Sequence, residues 1–506
     1  MKLTILALTI ANALTGVSWA QSSAAPNSQS GLMHCTEGMA MPGCPRPNQS
    51  PPTHSPDMHP AMTLQEPENP EKQTGKDLPT PDLLQDIARR PAMALSDFEA
   101  LADANNPTLK QANALVRRSQ EQARQAGLYP NPTAGYQGEQ IRGGAYGGGE
   151  QGGFIQQTII LGGKLGLRRD IYRQQSKSDR IGVAEQAARV HNDVQQAFYD
   201  ALTAQAEVKL RQRLLGVALD AVETVHQLAN VGQADAPDVL QTEVESGKAK
   251  LDYIAAQGEY LAAFHILASL AGNAALPVTP LLGDMEKVPD LNVEQMVERI
   301  VADSPTVKRA EQEAAVAQAR LKDARRESVP DLHLRAGEQY NGEQVGTNPT
   351  NHVGAQSFAT AGVDIPLWNR NQGNIEAAKA ELERVQEDAT RERLRLRQQA
   401  EPIAQMYLSA RLETEQYKTQ LIPRATRAYQ LYLEEYQNMA QAYPQVLVSQ
   451  RTLFQLQISY LKALHDVWQY ATSLENYTLS GGLDTPMSSG SPAATVNLQN
   501  GGGPQE

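Results

Sequence analysis

The chain has 506 residues, a formal net charge of −12 and only 5% aromatic residues. An acidic chain repels nucleic-acid phosphates, so binding to DNA or RNA is not expected. Few aromatic residues, together with abundant Ala, Gln, Glu and Arg, favour long helices over a thick globular core. The two cysteines, Cys35 and Cys44, lie close together near the N-terminus, a spacing that permits a disulfide without requiring one.

Residues 1–20 have the pattern of a secretory signal peptide. Lys2 supplies the positive start, Leu3 to Val17 form an apolar stretch, and Ser18 to Ala20 make a small-x-small cleavage site. The stretch is shorter than the roughly 20 residues that a transmembrane helix needs. No other uninterrupted apolar run reaches that length. We therefore expect an exported chain that is either soluble or crosses a membrane as strands of a β-barrel.

Residues 21–81 are rich in Pro, Ser, Gln and Asn without hydrophobic periodicity, which predicts a disordered leader. The leader also concentrates sulfur and imidazole side chains, which favour soft ions such as Cu(I). A metal-capturing leader and a disordered segment without a metal role both fit the irregular spacing. The candidate ligands are Met33, His34, Cys35, Met39, Met41, Cys44, His54, Met58, His59 and Met62.

The rest of the chain contains one unit twice. The run from Pro107 to Ala112 recurs from Pro305 to Ala310, and Pro132 and Pro330 keep the same offset. Repeats of this kind reveal architecture before single motifs do. The predicted divisions are a first repeat at 82–283, a second repeat at 284–480 and a disordered tail at 481–506.

The first repeat begins with helices and a hairpin. A short helix is predicted from Leu83 to Arg90, and a longer one from about Asp97 to Gly127, capped by Ser96 and ended by the glycine. Strands are predicted at Asn131 to Ile141 and at Phe154 to Leu161. The many glycines between the two strands weaken the strand signal.

A very long helix follows from Lys164 to Val231. The segment contains no strong breaker, and its apolar or small residues recur at steps of four and three, the spacing of a coiled coil. At 1.5 Å per residue the helix would be about 100 Å long. Gly232 and Pro237 predict a turn, after which a helix returns from Asp238 to Leu270.

The second repeat has the same order of elements. Its long helix keeps the three–four rhythm, and Pro402 and Pro423 are expected to bend it rather than end it. The predicted elements are a helix at Asn292 to Glu327, strands at Asp331 to Asn341 and Phe358 to Trp368, a long helix from about Gln372, a turn at Met439 to Pro444 and a last helix to about Tyr477.

Two hairpins give four strands in each chain, which cannot close a barrel. Open sheet edges are not tolerated in lipid, so the strands of several chains must combine. Three chains would supply twelve strands, within the even-stranded range of outer-membrane barrels. The long helices, with narrow stripes of Ala and Val, would then pack as a tube. This arrangement predicts a conduit.

Several short motifs occur in a fixed order along the two repeats. They are Asn106-Pro107-Thr108-Leu109, Pro130-Asn131-Pro132, Gln157 to Lys164, Ala229 to Gly232 leading to Asp238-Val239-Leu240, and Leu421 to Ala425. These motifs resemble those of the TolC-like outer membrane factors, also called outer membrane efflux proteins. The resemblance covers about residues 82–480, and the order and duplication of its motifs make it specific.

The resemblance implies a mainly α fold with a small β part, built as a tandem repeat of helix, β-hairpin, long helix and helix. It implies a homotrimer in the outer membrane, with a twelve-stranded β-barrel in the lipid and a long α-helical coiled-coil barrel in the periplasm. The expected partners are a periplasmic adaptor (membrane fusion) protein and an inner-membrane pump. Neither an enzymatic activity nor a cofactor is expected, since no catalytic triad, phosphate loop or zinc signature is found.

The Pro-Asn-Pro motif and the Leu-Gly-Gly-Lys turn resemble those of the heavy-metal cation-efflux branch, which works with resistance-nodulation-division pumps. The implied function is an exit duct for cations such as copper and silver, or cobalt, zinc and cadmium. Multidrug efflux and type I secretion remain alternatives. A periplasmic adaptor or a structural coiled-coil protein is an alternative of another class, although neither would need two matching hairpins.

The turns between long helices would form the periplasmic tips, where the family docks its adaptor and closes its gate. Asp235 and Asp238 would place acidic rings at the tip, unless Asp238 only caps the returning helix. Where some relatives carry two acids in the second repeat, this chain has Gln445 and Val448. The predicted gate and docking residues are Gly232, Asp235, Asp238, Tyr443 and Gln445.

Phe154, Phe358 and Trp368 lie near predicted strand ends. Aromatic side chains are enriched at the membrane–water interface, where their rings sit among lipid headgroups. The three residues are therefore predicted either to lie at that interface or to pack beneath the barrel.

Overall fold

The computed structural model describes residues 87, 89–141, 149–346, 351–437 and 443–486. They all lie in one compact unit, Leu78–Glu506. The predicted helix at Leu83 to Arg90 and the turn at Met439 to Pro444 fall mostly outside the described residues. Among the helices of this part of the chain, none is long and apolar enough to cross a bilayer.

The first repeat contains two short helices, a hairpin, a long helix and a returning helix, in the predicted order. A two-residue strand at its start was not predicted. The elements are β1 (Met93–Ala94), α1 (Leu95–Asn105), α2 (Pro107–Ala126), β2 (Thr133–Glu139), β3 (Glu150–Ile159), α3 (Lys164–Asn230) and α4 (Ala236–Leu270).

The second repeat has the same elements, with one difference in its long helix. That helix is interrupted by a π-helical turn, Tyr417–Leu421, shortly before Pro423. Strand β4 (Leu281–Leu282) lies in the segment that joins the repeats. The elements after it are α5 (Val293–Asp303), α6 (Pro305–Arg326), β5 (Leu332–Gln344), β6 (His352–Val363), α7 (Gln372–Gln416), α8 (Ile422–Gln437) and α9 (Tyr443–Glu475).

The prediction of single helices before each hairpin was wrong. Each is divided at a residue that precedes proline, Asn106 or Ser304, whose ψ is 124° or 134°. Steric contact with the proline ring disfavours the helical conformation at that residue. Each instead caps the following helix, since Asn106 Oδ1 accepts from the Thr108 amide at 2.9 Å and Ser304 Oγ accepts from the Thr306 amide at 3.4 Å.

The start of α1 also differs from the prediction. The helix begins at Leu95, so Ser96 lies within it rather than before it. The residue in the cap position is Ala94, which has no polar side chain. Its amide instead donates to the carboxylate of Asp97 at 2.8 Å, which satisfies one of the free donors at the helix start.

The prediction of a very long first helix is confirmed. Helix α3 runs without interruption for 67 residues, which at 1.5 Å per residue is about 100 Å. Its buried apolar positions include Val190, Val194, Ala197 and Ala201, at steps of four and three. In the second repeat, Pro402 lies inside α7 without ending it, and the π-helical turn accommodates the helix near Pro423.

The longer helices lie side by side in a layer. Close to the β-hairpins, neighbouring helices pack in the order α2, α3, α6, α7. Farther from the hairpins the order is α4, α3, α9, and α9 then packs against both α7 and α8. The hairpins form an antiparallel sheet in the order β2–β3–β5–β6. Layer and sheet therefore have the same two ends, with first-repeat elements at one and second-repeat elements at the other.

Buried aromatic residues hold the middle of the first repeat together. The ring centroids of Phe98 and Phe198 are 6.0 Å apart, as are those of Phe98 and Phe264, so α1, α3 and α4 meet at one point. A second core lies around Leu396 and Tyr407, between α5, α7 and α9. The two repeats thus have equivalent cores.

Buried charges tie the two repeats together nearer the sheet. The carboxylate of Glu185 on α3 accepts a hydrogen bond from Arg189 at 2.6 Å and forms an ion pair with Arg309 on α6 at 3.0 Å. Farther along α3, His465 on α9 contacts Asp200 at 2.6 Å and Asp466 at 3.2 Å. Burial acts to lower the pKa of His465, but the hydrogen bonds to the two carboxylates outweigh it and raise the pKa above the ordinary value.

One glutamine fixes the crossing between the repeats. Strands β1 and β4 pair in parallel, and the buried side chain of Gln205 on α3 binds both main-chain groups of Leu281, accepting at 2.8 Å and donating at 3.0 Å. The hydroxyl of Tyr260 donates to the carbonyl of Thr279 at 2.8 Å. The inter-repeat segment is therefore held against the long helix by side chains.

We expect Gln205→Ala to destabilise the fold by about 2–3 kcal/mol, because it leaves a buried amide and carbonyl of Leu281 without partners. The measurement is the urea midpoint of the detergent-solubilised chain, followed by tryptophan fluorescence. Trp468 donates to the carbonyl of Met285 at 2.9 Å, so it reports on the same segment. The matched control is Gln212→Ala, an exposed glutamine on the same helix. Equal midpoints for the two variants would contradict the assignment.

Candidate functional site

The two faces of the four-stranded sheet differ in chemistry. The register aligns Ala134, Ile155, Ala336 and Ala359 in one row across all four strands. We call the face that carries this row the apolar face, and the other the polar face. Further apolar members of the first face are Tyr136, Ile159, Leu332, Leu334, Ala361 and Val363, and this face also carries the polar Gln157 and Glu338. Members of the polar face are Gln137, Gln156, Thr158, His333, Arg335, Gln339 and Gln356.

The apolar face is the exposed one. The side chains of Tyr136 and Ile155 are 66% and 62% exposed, whereas His333 and Arg335 on the polar face are only half-exposed. A water-soluble sheet hides its apolar face and exposes its polar one. The inverse arrangement, apolar outside and polar inside, is that of strands whose outer face contacts lipid and whose inner face lines an aqueous bore.

The prediction for two aromatic residues was wrong. Phe154 and Phe358 lie in the middle of β3 and β6, and not near strand ends, on the polar face, where their rings flank the guanidinium of Arg335. The contact of the two rings with Arg335 depends on how β3, β5 and β6 pair, and the sequence alone does not show that pairing. Trp368 follows β6 and is 87% exposed, so it does not pack beneath the sheet within the chain.

A buried lysine joins the sheet to the helices. Lys164, the first residue of α3, contacts the carboxylate of Asp331 at 2.8 Å and donates to the carbonyl of Val329 at 2.9 Å. Partial burial acts to raise the pKa of Asp331, but the hydrogen bond from Lys164 and its charge lower it below the ordinary value. The start of the first long helix is therefore anchored to the second hairpin.

The turn between α3 and α4 has the geometry that its sequence predicts. Gly232 has φ +72°, in the left-handed region that glycine adopts without steric cost. The amide of Gln233 donates to the carbonyl of Leu228 at 2.8 Å, and that of Gly232 to Ala229 at 3.0 Å. This pair of bonds is the Schellman motif, which ends a helix sharply.

Asp235 and Asp238 do not have the capping role that was considered for Asp238. Asp235, and not Asp238, occupies the cap position of α4, and its carboxylate makes no capping hydrogen bond. Asp238 lies in the first turn, where a negative charge is favourable near the helix N-terminus. Capping therefore does not account for either carboxylate, and the side chain of Asp235 is exposed.

An apolar cluster joins the two helical hairpins just above this turn. Val225 of α3 is buried with Val446 and Leu447 of α9, and Tyr429 and Leu433 of α8 pack against them. We call these residues the tip cluster. Sequence reasoning missed it, although the apolar residues directly after the second turn are a signal.

Charged residues line the space beside the tip cluster. An ion pair between Arg451 of α9 and Glu245 of α4 connects the hairpins, and Arg211 of α3 contacts Asp252 of α4 at 3.0 Å. They border a groove of about 720 Å³ between α3, α4 and α9. The groove is therefore lined by both positively and negatively charged side chains.

The remaining predicted residues are placed only in part. Gln445 is exposed next to the buried Val446, and Tyr443 begins α9. The ten candidate metal ligands of the leader lie outside the described residues. Within the part that the structure does describe, no group of three or more His, Cys, Asp or Glu side chains is arranged to hold a metal ion.

The sequence profile of the family described as Outer membrane efflux protein matches residues 100–273 and again residues 296–478. These two matches span more than half of the chain and follow its two repeats. The chain belongs to the outer membrane efflux protein family. The predicted membership is confirmed.

Individual proteins give the same result. Cobalt-zinc-cadmium resistance protein CzcC of Cupriavidus metallidurans is 25% identical over 319 residues, 63% of this chain and 74% of that protein. Crystal structures of CusC, which concern folding and transmembrane channel formation, match with a TM-score of 0.62 at 18% identity over 76% of this chain and 92% of theirs. The open state of the MtrE outer membrane channel of Neisseria gonorrhoeae matches with a TM-score of 0.60 at 17% identity over 77% and 90%. At these identities the solved structures show the fold alone.

The family and the fold establish the class of function. The chain is an outer membrane efflux channel of the kind that works in tripartite systems, with a large helical part in the periplasm. It is a passive channel and not an enzyme. These predictions are confirmed, whereas the cargo and the gate residues stay predictions.

We expect Gly232→Val to loosen the tip by about 1–2 kcal/mol, because a β-branched residue strains the left-handed conformation. Amides from Leu228 to Gln233 should exchange with deuterium about tenfold faster in the variant. Gly247→Ala is the control, since Gly247 lies inside α4 with open space around its Cα. Unchanged exchange in the Gly232 variant would mean that the turn does not depend on this glycine.

Proposed function

We propose that the chain is the exit duct of a tripartite efflux system that exports heavy-metal cations. The observation that supports a duct is the four-stranded sheet, because its apolar face is exposed and its polar face is sheltered. The metal cargo is supported by the similarity to a relative whose name states cobalt, zinc and cadmium resistance. Resistance-nodulation-division pumps are the proposed source of energy, with a periplasmic adaptor between pump and duct.

The free ends of the layer support a ring of identical chains. Among the described residues, strands β2 and β6 each pair along one edge only, and unpaired strand edges are not tolerated in lipid. Joining the β6 edge of one chain to the β2 edge of the next repeats the same contact, and a repeated head-to-tail contact closes into a ring. Three chains give twelve strands, which we propose as the barrel.

Exposed apolar side chains on helices at both ends of the layer are consistent with this ring. Leu240, Val244 and Leu251 of α4 are more than half exposed, although they repeat at helical spacing. At the other end, Leu394 and Leu412 of α7 are exposed in the same way. Such rows mark surfaces that pack against another helix. In the proposed trimer they lie between neighbouring chains.

The tips are the proposed gate and adaptor-docking region. Three chains would bring three copies of Asp235 and three of Asp238 together around the bore. The second repeat places the neutral Gln445, and the start of α9 at Tyr443, at the corresponding turn. We therefore assign the charge of the gate to the first repeat, with Gly232 as its hinge.

The leader is proposed, from its residues alone, to bind soft cations before they enter the duct. Thioether, thiolate and imidazole groups together favour Cu(I) and Ag(I). Silver titration of the full chain, followed calorimetrically, tests this role. A chain with Ser at the ten leader positions is the control, and equal binding by the two chains would remove the leader from the proposal.

The duct and its cargo are tested separately. The purified chain should form pores of uniform conductance in a planar bilayer, because only a duct provides a continuous aqueous path. An adaptor or a structural coiled coil would leave the bilayer resistance unchanged. Deletion of the gene should then increase sensitivity to metal cations, measured with copper, silver, cobalt, zinc, cadmium and a drug panel. Sensitivity to the drug panel alone would replace the metal cargo with multidrug efflux.

We expect Asp238→Ala to increase ion leak through the reconstituted channel. The change removes the first-turn carboxylate, which contributes about 0.3–1 kcal/mol to the start of α4 in each chain, and it removes one acidic ring from the tip. Conductance at fixed voltage is the measurement. Asp220→Ala, an exposed acid on α3, is the control. Identical conductance in both variants would exclude Asp238 from the gate.

A further inference from the structure

An arginine is clamped between two phenylalanine rings on the polar face of the sheet. The guanidinium carbon of Arg335 on β5 lies 4.0 Å from the ring centroid of Phe154 on β3 and 5.7 Å from that of Phe358 on β6. A cation over an aromatic face is attracted by the negative ring quadrupole. Two neighbouring strands therefore hold this guanidinium from both sides.

Glycines make room for the clamp. A Cβ at Gly135 would lie 2.7 Å from the ring of Phe154, and one at Gly337 would lie 2.8 Å from the ring of Phe358. Both glycines stand directly opposite the phenylalanines in the strand register. Side chains other than hydrogen would push the rings off the sheet, so the rings lie flat because these positions are glycine.

The charge of Arg335 is not neutralised among the described residues. Its side chain donates to the amide oxygen of Gln137, and its Nε has no hydrogen-bond partner. No carboxylate is within ion-pair distance there. Glu150 is engaged by Gln339 and Asn341, at 2.6 and 2.8 Å, and Asp364 contacts His333 at 3.3 Å. An unpaired cation thus remains on the surface that lines the bore.

We propose that Arg335, held by Phe154 and Phe358, forms an anion-attracting ring inside the membrane part of the duct. Three chains place three such guanidinium groups around one bore. Rings of arginine or lysine favour anions in pores. The ligand class is small inorganic anions that pass with the cargo as its counter-ions. The inference rests on the proposed trimeric duct, since one chain does not enclose a bore.

The other charged residues of the polar face define where along the bore the positive potential would lie. His333 is two residues nearer the helices, whereas Glu139 and Glu150 lie at the far ends of their strands. The positive potential is therefore confined to the middle of the sheet. Screening shortens its range from about 30 Å at 0.01 M salt to about 10 Å at 0.1 M. Anion preference should consequently be strongest in dilute salt.

The test is the reversal potential of single channels across a potassium chloride gradient at low ionic strength. Arg335→Gln should lower the chloride-to-potassium permeability ratio about threefold, while Arg335→Lys, which keeps the charge, should stay near the native ratio. Arg326→Gln, an exposed arginine in the last turn of α6, is the matched control and should leave the ratio unchanged.

The outcomes separate the two proposals. If the native chain forms no pore, the duct itself is wrong. If native and Arg335→Gln channels conduct with the same permeability ratio, the duct stands and the anion ring is overturned. If Arg335→Gln and Arg335→Lys lose anion preference equally, the side chain acts through packing and not charge, which also overturns the proposal.

Discussion

The rest of the structure depends on the need to pair the free edges of an open layer. Among the described residues, β2 and β6 each pair along one edge only, and the helical layer ends with α2 and α4 on one side and with α7 and α8 on the other. Backbone amides and carbonyls cannot remain unpaired in lipid. Because the sheet and the helical layer end with the same repeats, one head-to-tail contact in the proposed ring would pair the edges of both. The duplication makes this possible, since the second repeat ends where another first repeat can begin.

Local patterns predicted the elements well where one period governs a whole segment. The 67-residue helix follows from the regular spacing around Val190 and Val194, and Gly232 marked its end. The breaks at Asn106 and Ser304 were missed although proline follows both, because helical periodicity continues across them. The pairing of Met93 with Leu281 was beyond local reasoning: two-residue strands carry no pattern, and the partners lie far apart in sequence.

In the candidate site, too, the sequence predicted the elements but not which residues meet. Alternation of apolar and polar residues predicts strands, but which aromatic ring faces an arginine depends on the register of three strands from two repeats. Phe154 and Phe358 were therefore placed wrongly while their strands were recognised. At the tip, composition identified two acids, but only backbone geometry shows that Asp235 holds the cap position without capping. Sequence identifies the chemistry available, and topology decides which groups meet.

The proposed trimer has opposite charges at two levels of its bore. The tips carry Asp235 and Asp238, whereas the sheet carries Arg335, whose guanidinium has no ion pair among the described residues. In such a trimer an acidic entrance would concentrate cations at the tip, and a positive ring farther along would oppose bare cations. In the proposed trimer the two levels would together favour passage of a cation that is accompanied by its counter-ions. Since the tip cluster and the Lys164 anchor fix both levels to the same long helix, the separation between them is set by the length of α3.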